Sequence, residues 1–321
     1  MARHRRFGGV WLGNWGVMSC LLAAVAIPGA GAEKITLGFH LKTGQMFHLL
    51  TTTESILNQS IMGQEMNATS TAGMGYTYEV QQVADDGTAT CKVTYNSVQM
   101  KMSMAGFDME FDSAKPVAGA SPLVKPFTAL VGQSFTLRIS PAGHVTDVQG
   151  TEAINEKMFK SLELPDESMR ATVEKLAREQ FGAESIGESM EQAIGGNFPD
   201  GPVDIGDSWV KRTSTARPYP MNLETKFTLK ERKNGIAVID VVSKISPNPA
   251  AKPMQVGPMT MTYAFTGERT GQLEIEEASG WTVGATYTQQ MSGTINAEGG
   301  PQGTMSIPIS GTITTRIESR K

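Results

Sequence analysis

The sequence predicts a mainly β protein with a helical insert, an α+β chain in which two related, curved antiparallel sheets or half-barrels are joined by two or three amphipathic helices. Three observations predict this class. Apolar residues alternate with polar ones over most of the chain, which is typical of half-buried strands. Asp86-Gly87 and Asn234-Gly235 are dipeptides that favour tight hairpins. Between residues 151 and 200 the apolar spacing changes from two to about 3.6, the period of a helix.

The N-terminal segment has the features of a signal peptide. A basic segment at residues 3–6, the apolar run Leu21–Ile27 and the small-residue sequence Ala30-Gly31-Ala32 follow one another in the expected order. We therefore expect residues 1–32 to be removed and the chain to be exported to the periplasm or the extracellular space. No later stretch is long and apolar enough to predict a transmembrane span.

Charge and cysteine content exclude some classes of function. Loss of three basic residues with the signal peptide takes the net charge from −4 to −7, which argues against binding to nucleic acid. Cys91 is the one cysteine of the expected mature chain, so the sequence predicts no internal disulfide. Lipidation of Cys20, within Val17-Met18-Ser19-Cys20, stays open as an alternative to cleavage before Glu33.

The first β unit, residues 33–150, is predicted from strand and turn signals. Gly44-Gln45-Met46-Phe47 opens a strand, and Asp86-Gly87 and Ala142-Gly143 join hairpins. We expect Asn58–Ser70 to be a polar loop or hairpin tip, and residues 114–126 to be a loop. The residues predicted to face the core are Tyr76, Tyr78, Val80, Ala89, Cys91, Val93, Tyr95, Phe135, Leu137 and Ile139.

Residues 151–200 are predicted to be a helical insert. Thr151–Leu162 is expected to form a short helix, and Pro165-Asp166-Glu167 is a signal for the start of another. The residues that form apolar stripes at helical spacing are Met169, Val173, Leu176 and Ala177, and then Ile186, Met190 and Ile194. Such amphipathic helices need an apolar surface to cover, and we expect them to lie on a sheet face.

The second β unit, residues 201–321, repeats the order of signals found in the first. Gly206-Asp207-Ser208-Trp209 opens a strand, Asn234-Gly235 joins a hairpin, and Ser279-Gly280 joins a second one. The recurrence predicts two related units, with chance similarity among β-hairpins as the alternative. Ser246–Pro258 contains four prolines and is expected to be a loop.

Methionine and aromatic side chains form apolar stripes on strands of both units. Three interpretations stay open: an ordinary core in which methionine fills gaps, an adaptable surface for acyl chains or other apolar ligands, and a Cu(I) site built from thioethers with His40 or His48. The candidate ligand-binding residues are Met100, Met102, Met104, Phe107, Met109, Phe111, Met259, Met261, Tyr263 and Phe265.

No catalytic or cofactor motif is recognisable. Ser208 stands in a Gly-Asp-Ser sequence, but the chain lacks a histidine downstream of it that could serve as a base, since His40, His48 and His144 all precede it. The sequence therefore predicts a protein that is not an enzyme and needs no cofactor.

Several of these features resemble an uncharacterised family of secreted bacterial proteins. The glycine-x-x-aromatic strand starts, the Asp-Gly hairpin and the run Phe198–Trp209 are similar to those of a domain of unknown function found in planctomycete- and bacteroidete-type genomes. The resemblance implies an exported β-rich protein and assigns no site residue. The expected architecture is also similar to that of periplasmic lipid and lipoprotein carriers, in which curved antiparallel sheets hold a helical plug.

We therefore expect an exported, non-enzymatic binding protein. Its ligand would be lipid-like or otherwise apolar, in a hollow covered by the helices; the sequence does not identify protein partners. The alternative is an interaction or structural module of the cell envelope with a filled core and no small ligand. Cu(I) binding by the methionine-rich strands is the third interpretation.

Overall fold

The computed structural model describes residues 33–61, 63–104, 107–115, 124–160, 174, 182–194, 197–215, 220–256, 259–300 and 303–320. Thirteen strands in these ranges form one antiparallel sheet, and three helices accompany them. The predicted class, a mainly β chain with a helical insert, is confirmed. The expected signal peptide and the expected helix that starts at Pro165 lie outside the described residues.

The first half contributes six strands and one short helix. The strands are β1 Met46–Ile61, β2 Gln64–Val83, β3 Ala89–Met104, β4 Phe107–Asp112, β5 Ser134–Ile139 and β6 Val145–Gln149. Helix α1, Lys125–Leu130, begins inside the segment that the sequence predicts to be a loop. Pro126 lies in its first turn, where a backbone amide has no partner within the helix.

The hairpin of β1 and β2 is longer than the sequence predicts. Of the two expectations for Asn58–Ser70, the hairpin tip is right and the loop is wrong, because the two strands pair without a break as far as Ile61 and Gln64. Asn58, Glu65, Asn67 and Thr69 face outward, while Leu57 and Met66 continue the half-buried alternation. The segment therefore extends the sheet by several residues.

The second half contributes the other seven strands. They are β7 Ser208–Thr215, β8 Met221–Lys233, β9 Ile236–Pro247, β10 Met254–Val256, β11 Met259–Glu276, β12 Thr282–Gly300 and β13 Gly303–Arg320. The predicted turn between β8 and β9 is confirmed, with φ of 53° at Asn234 and 75° at Gly235. Both positive angles match the tight turn that this dipeptide favours. The expected loop Ser246–Pro258 is interrupted by β10, which pairs with β11.

The two halves form one continuous sheet and not two separate ones. The strand order is β6-β5-β3-β2-β1-β13-β12-β11-β9-β8-β7, with β4 paired to β3 and β10 to β11. The halves join where β1 pairs with β13, from His48 opposite Arg320 to Gln59 opposite Ile309. This pairing removes two long edges whose backbone groups would otherwise lack partners. The strands follow the same order in both halves, but descent from a duplicated unit stays a prediction.

Two longer helices follow β6 in the chain. Helix α2 is Thr151–Lys160 and helix α3 is Ala183–Ile194. As the sequence predicts, Ile186, Met190 and Ile194 of α3 are buried. The Tyr78 hydroxyl donates to Met190 Sδ at 2.8 Å, and Thr282 Oγ1 donates to the Ile194 carbonyl at 3.2 Å. Helix α3 is therefore bonded to strands of both halves of the sheet.

Aromatic side chains fill the core beneath α3. Trp281 is 1% exposed and stacks on Phe47, with ring centroids 4.1 Å apart. The Tyr78 ring packs edge to face against the same indole, with ring centroids 5.0 Å apart. Trp281 Nε1 donates a hydrogen bond to Ser319 Oγ at 2.8 Å. We call the sheet face that carries these rings the inner face, and this part of the fold the main core.

Glycines on the inner face allow neighbouring strands to approach closely. A Cβ added at Gly271 would lie 2.8 Å from Tyr287 Cδ1, and one at Gly293 would lie 2.8 Å from the Cα of Phe265. Added Cβ atoms at Gly267 and Gly311 would likewise meet backbone atoms of the adjacent strand. Because these positions hold no side chain, the sheet can bend toward its inner face.

Candidate functional site

The first set of predicted ligand-binding residues forms a compact group. Strands β3 and β4 place Met100 opposite Phe111, Met102 opposite Met109 and Met104 opposite Phe107. The three β3 methionines are half-buried, whereas Phe107 is 44% exposed and Phe111 only 7%. Phe111 belongs to the main core, and Met109 packs against it.

The second predicted set lies at one end of β11. Met261 is opposite Met254 of β10, and Met259 is opposite Val256. Tyr263 is half-buried, and its hydroxyl donates to Met254 Sδ at 3.6 Å. Phe265 is fully buried and therefore presents no free surface. The members of each predicted set lie close to one another in the sheet. Four strands, β2, β1, β13 and β12, separate the first set from the second.

A second apolar cluster on the inner face includes Phe265 and extends from it to strands on both sides of β11. Its buried members are Met221, Leu223, Ile245, Phe265, Met291 and Ile309, and Leu57, Tyr263, Ile295 and Ile313 pack against it. Sequence reasoning missed most of these residues, because they are spread over five strands. The pairing of β8, β9, β11, β12 and β13 brings the buried members to one surface, and Leu57 joins them across the β1–β13 pairing.

We call the whole apolar surface at this end of the inner face the methionine face. Besides the buried cluster it includes half-buried side chains from six strands, which alternate with polar residues of the outer face. Its members are Leu57, Met66, Met102, Met104, Phe107, Met109, Met221, Leu223, Ile245, Met254, Met259, Met261, Tyr263, Phe265, Met291, Ile295, Met305, Ile307 and Ile309.

A row of mostly polar side chains, interrupted by Ile313 on β13, crosses the inner face between the methionine face and the main core. Ser55 and Ser70 share a hydrogen bond of 2.8 Å, and the buried Thr225 and Ser243 share one of 2.9 Å. Arg269 of β11 lies in the same row and is paired with Ser243 of the neighbouring strand β9. We call this row the polar belt; it gives the inner face an apolar part and a hydrogen-bonding part side by side.

Arg269 is the cation of the polar belt. Its Nε donates to Ser243 Oγ at 3.4 Å, and its guanidinium carbon lies 5.3 Å from the ring centroid of Tyr287. Burial lowers the pKa of the guanidinium, an effect that Tyr287 partly opposes. Burial also raises the pKa of Tyr287 to about 12, although the adjacent cation acts in the opposite direction. At neutral pH the arginine is charged and the phenol is neutral.

Two depressions of the described surface lie away from the apolar part of the methionine face. A groove of about 520 Å³ runs between α3 and the edge strands β6 and β7, with Glu184, Glu188, Glu191 and Asp147 in its walls. A depression of about 510 Å³ adjoins Met291, but polar side chains of the opposite sheet face form most of its lining. Neither is the apolar hollow that the sequence predicts beside the methionine strands.

The residues considered for catalysis and metal binding are placed as follows. The Ser208 hydroxyl shares a hydrogen bond of 2.9 Å with Thr228 Oγ1 on the neighbouring strand. Cys91 is buried, and burial raises the pKa of its thiol to about 12. Across the described ranges, no group of three or more His, Cys, Asp or Glu side chains is arranged to hold a metal ion. No helix in the described part of the chain has the length and apolarity needed to cross a membrane.

Comparison with known proteins assigns the chain to a family. A family of unknown function (DUF6263) matches residues 86–282, and the chain belongs to it. The predicted membership of an uncharacterised family is thereby confirmed. No curated protein has a significant match to the chain.

Solved structures show distant likenesses only. Lipovitellin, solved for its lipid–protein interactions, is similar over 87% of this chain with a TM-score of 0.49 and 9% identity, and the chain spans 25% of the lipovitellin chain. DynF of the dynemicin biosynthesis pathway of Micromonospora chersina has a TM-score of 0.20 and 7% identity, with 92% of this chain and 89% of DynF covered. OccK7 of Pseudomonas aeruginosa has a TM-score of 0.20 and 5% identity, with 86% of this chain and 99% of OccK7 covered. Likenesses of this size do not determine a ligand.

Proposed function

We propose that this is an exported, non-enzymatic binding protein that holds a lipid-like ligand on the methionine face. The observation that supports it most is the set of half-buried methionines on the inner face, beside a polar belt. Partly exposed apolar surface of this extent is unfavourable in water unless something covers it. Methionine side chains are flexible and polarisable, so they adapt to acyl chains of varied shape.

The shape of the methionine face suits a ligand with an extended acyl chain more than one with a compact ring system. The methionine face follows the sheet from β8 to β3, and its half-buried members border the buried cluster of Phe265 and Met291. An acyl chain laid along this surface would cover the exposed parts of the methionines. Each methylene group removed from water contributes about 0.8 kcal/mol, so a long chain can bind without any deep pocket.

Uptake of a fluorescent fatty-acid probe tests this proposal. Met104→Gln combined with Met261→Gln keeps side-chain length but makes the face polar, and we expect the probe to bind at least about fivefold more weakly. Met46→Gln is the matched control, because Met46 is 50% exposed on the outer face and should leave binding unchanged. If the probe does not bind the folded wild-type protein, the proposal is wrong and an interaction module with a filled core is favoured.

Cu(I) binding is a second candidate that one observation favours. Met102 and Met109 are directly opposite one another, as are Met254 and Met261, so two thioethers can approach one ion in each pair. Met102→Leu with Met109→Leu separates the two candidates, because it keeps the apolar volume and removes the thioethers. Loss of Cu(I) affinity with normal probe binding would show copper binding as a separate property, whereas unchanged weak Cu(I) affinity would exclude this pair.

A further inference from the structure

Arg269 occupies an unusual position for a charged residue. It lies on the inner face of β11, and by strand alternation its neighbours on the same face of that strand are Gly267 and Gly271. Both are glycines, so no side chain of β11 borders the guanidinium along the strand. Across the strands the paired residues are Ser243 on β9 and Gln289 on β12, both polar and neither acidic.

The guanidinium has few partners. Among the described residues no carboxylate lies within 4 Å of it, and its one hydrogen bond to them is the long bond from Nε to Ser243 Oγ at 3.4 Å. Glu268 is adjacent in sequence, but strand alternation points it to the outer face. The two terminal nitrogens, with four N–H donors, are thus left for an acceptor from outside the described chain.

A partly buried guanidinium without a counter-ion is costly. Removing the charge from water weakens its solvation, and the contact with the Tyr287 ring replaces only part of it. The planar fork of the guanidinium matches the two oxygens of a carboxylate or a phosphate. Ser243 and Gln289, on the two strands beside Arg269, offer further hydrogen bonds to such a group.

We propose that Arg269 binds the anionic head of an amphiphile whose single apolar chain lies along the methionine face. The inference rests on the proposed function and specifies its ligand class. The head would be an oxyanion, either the carboxylate of a fatty acid or the phosphate of a lipid phosphate monoester. From Arg269 the chain would run past the buried Met291 and Phe265 toward the half-buried Tyr263 and Ile295, since the aromatic main core fills the other side of the belt.

Three ligands with one chain and different heads test the inference on the purified protein. Calorimetric titration compares oleate, oleyl phosphate and oleyl alcohol, which share an eighteen-carbon chain and differ in charge, with inorganic phosphate as a fourth ligand. We expect at least one of the two anionic amphiphiles to bind about thirty-fold or more tightly than the alcohol, as for a desolvated hydrogen-bonded charge pair. The tighter binder of oleate and oleyl phosphate shows whether the head of the ligand is a carboxylate or a phosphate.

Variants then assign the preference to this residue. Arg269→Met should remove the difference between anion and alcohol, and Arg269→Lys should keep part of it, because a lysine retains the charge but not the fork. Arg316→Met is the matched control: Arg316 is an outer-face arginine, 49% exposed and paired with Glu54, and its loss should leave the preference intact.

Two results would overturn the inference while leaving the proposed function in place. They are equal binding of oleyl alcohol and the anions, and a preference that survives Arg269→Met in a folded variant. Binding of inorganic phosphate as tight as that of oleyl phosphate would show that the apolar chain contributes nothing, and would contradict the proposed function as well. If none of the three amphiphiles binds, the proposed function fails as well. The comparison of ligands on the wild-type protein gives a result even if a variant does not fold.

Discussion

The tight curvature beside the methionine face can be tested at a single glycine. A Cβ at Gly293 would lie 2.8 Å from both Cα and Cδ1 of Phe265 and would also meet the Ala264 carbonyl. Restoring a contact of 3.4 Å with Phe265 requires the strands to separate by 0.6 Å, and relieving the closer Ala264 carbonyl requires a larger separation, which weakens the adjacent ladder hydrogen bonds. Overpacking destabilises the fold by about 1–3 kcal/mol, and each weakened hydrogen bond by about 1 kcal/mol. Replacing a glycine within a strand stabilises the fold by up to about 1 kcal/mol, because glycine loses more backbone entropy on folding. We therefore expect Gly293→Ala to lower the free energy of unfolding by about 2–4 kcal/mol in urea denaturation.

Gly73→Ala is the matched control for this experiment. Gly73 also lies within a long strand, but its added Cβ would make only an ordinary contact of 3.4 Å with Gln99. We expect Gly73→Ala to change stability by less than about 1 kcal/mol in either direction. Equal effects of the two substitutions would refute the argument that close strand approach at Gly293 shapes the sheet.

Three further predictions concern single side chains. Arg232 donates two hydrogen bonds of 2.9 Å to Glu277, and these bonds lower the pKa of the Glu277 carboxyl. The pair therefore stabilises the fold above the ordinary carboxyl pKa, and this stabilisation is lost as the pH falls through the lowered value. Glu277→Gln should cost about 1 kcal/mol at pH 7 and nothing once the carboxyl is protonated, and a deficit that persists at pH 2 would contradict this. Tyr78→Phe removes the bond to Met190 Sδ and should cost about 1 kcal/mol in urea denaturation, with faster amide exchange in α3; unchanged exchange there would show that the bond does not hold the helix. Because burial raises the pKa of Cys91 to about 12, its thiol should react with a disulfide reagent at pH 8 only after unfolding, and rapid labelling of the native protein would disprove that burial.

Local signals predict much of the fold. The dipeptides Asp86-Gly87 and Asn234-Gly235 locate two hairpins, because their turns depend on backbone angles that few other residues adopt. Helix α3 follows from the spacing of Ile186, Met190 and Ile194. Such signals operate within a few residues of sequence.

The rest depends on contacts between distant residues. Pairing of β1 with β13 joins residues more than 200 positions apart, and no local pattern specifies which edge strands meet. Leu57 of β1 packs against the buried cluster around Met291 only because of that pairing. Arg269, within Thr266-Gly267-Glu268-Arg269-Thr270-Gly271, has the sequence context of an exposed polar strand. Its burial results from sheet curvature, which glycines at four separate places permit.

The most direct test of the account is the identity of what the protein carries. The folded full chain, expressed with its own N-terminal segment and purified without detergent, can be extracted with organic solvent and the extract analysed by mass spectrometry. The account predicts single-chain amphiphiles with a carboxylate or phosphate head, near one per protein, and depleted in the Arg269→Met variant relative to Arg316→Met. A folded protein that yields no amphiphile, and that takes up none when oleate or oleyl phosphate is added, would contradict it.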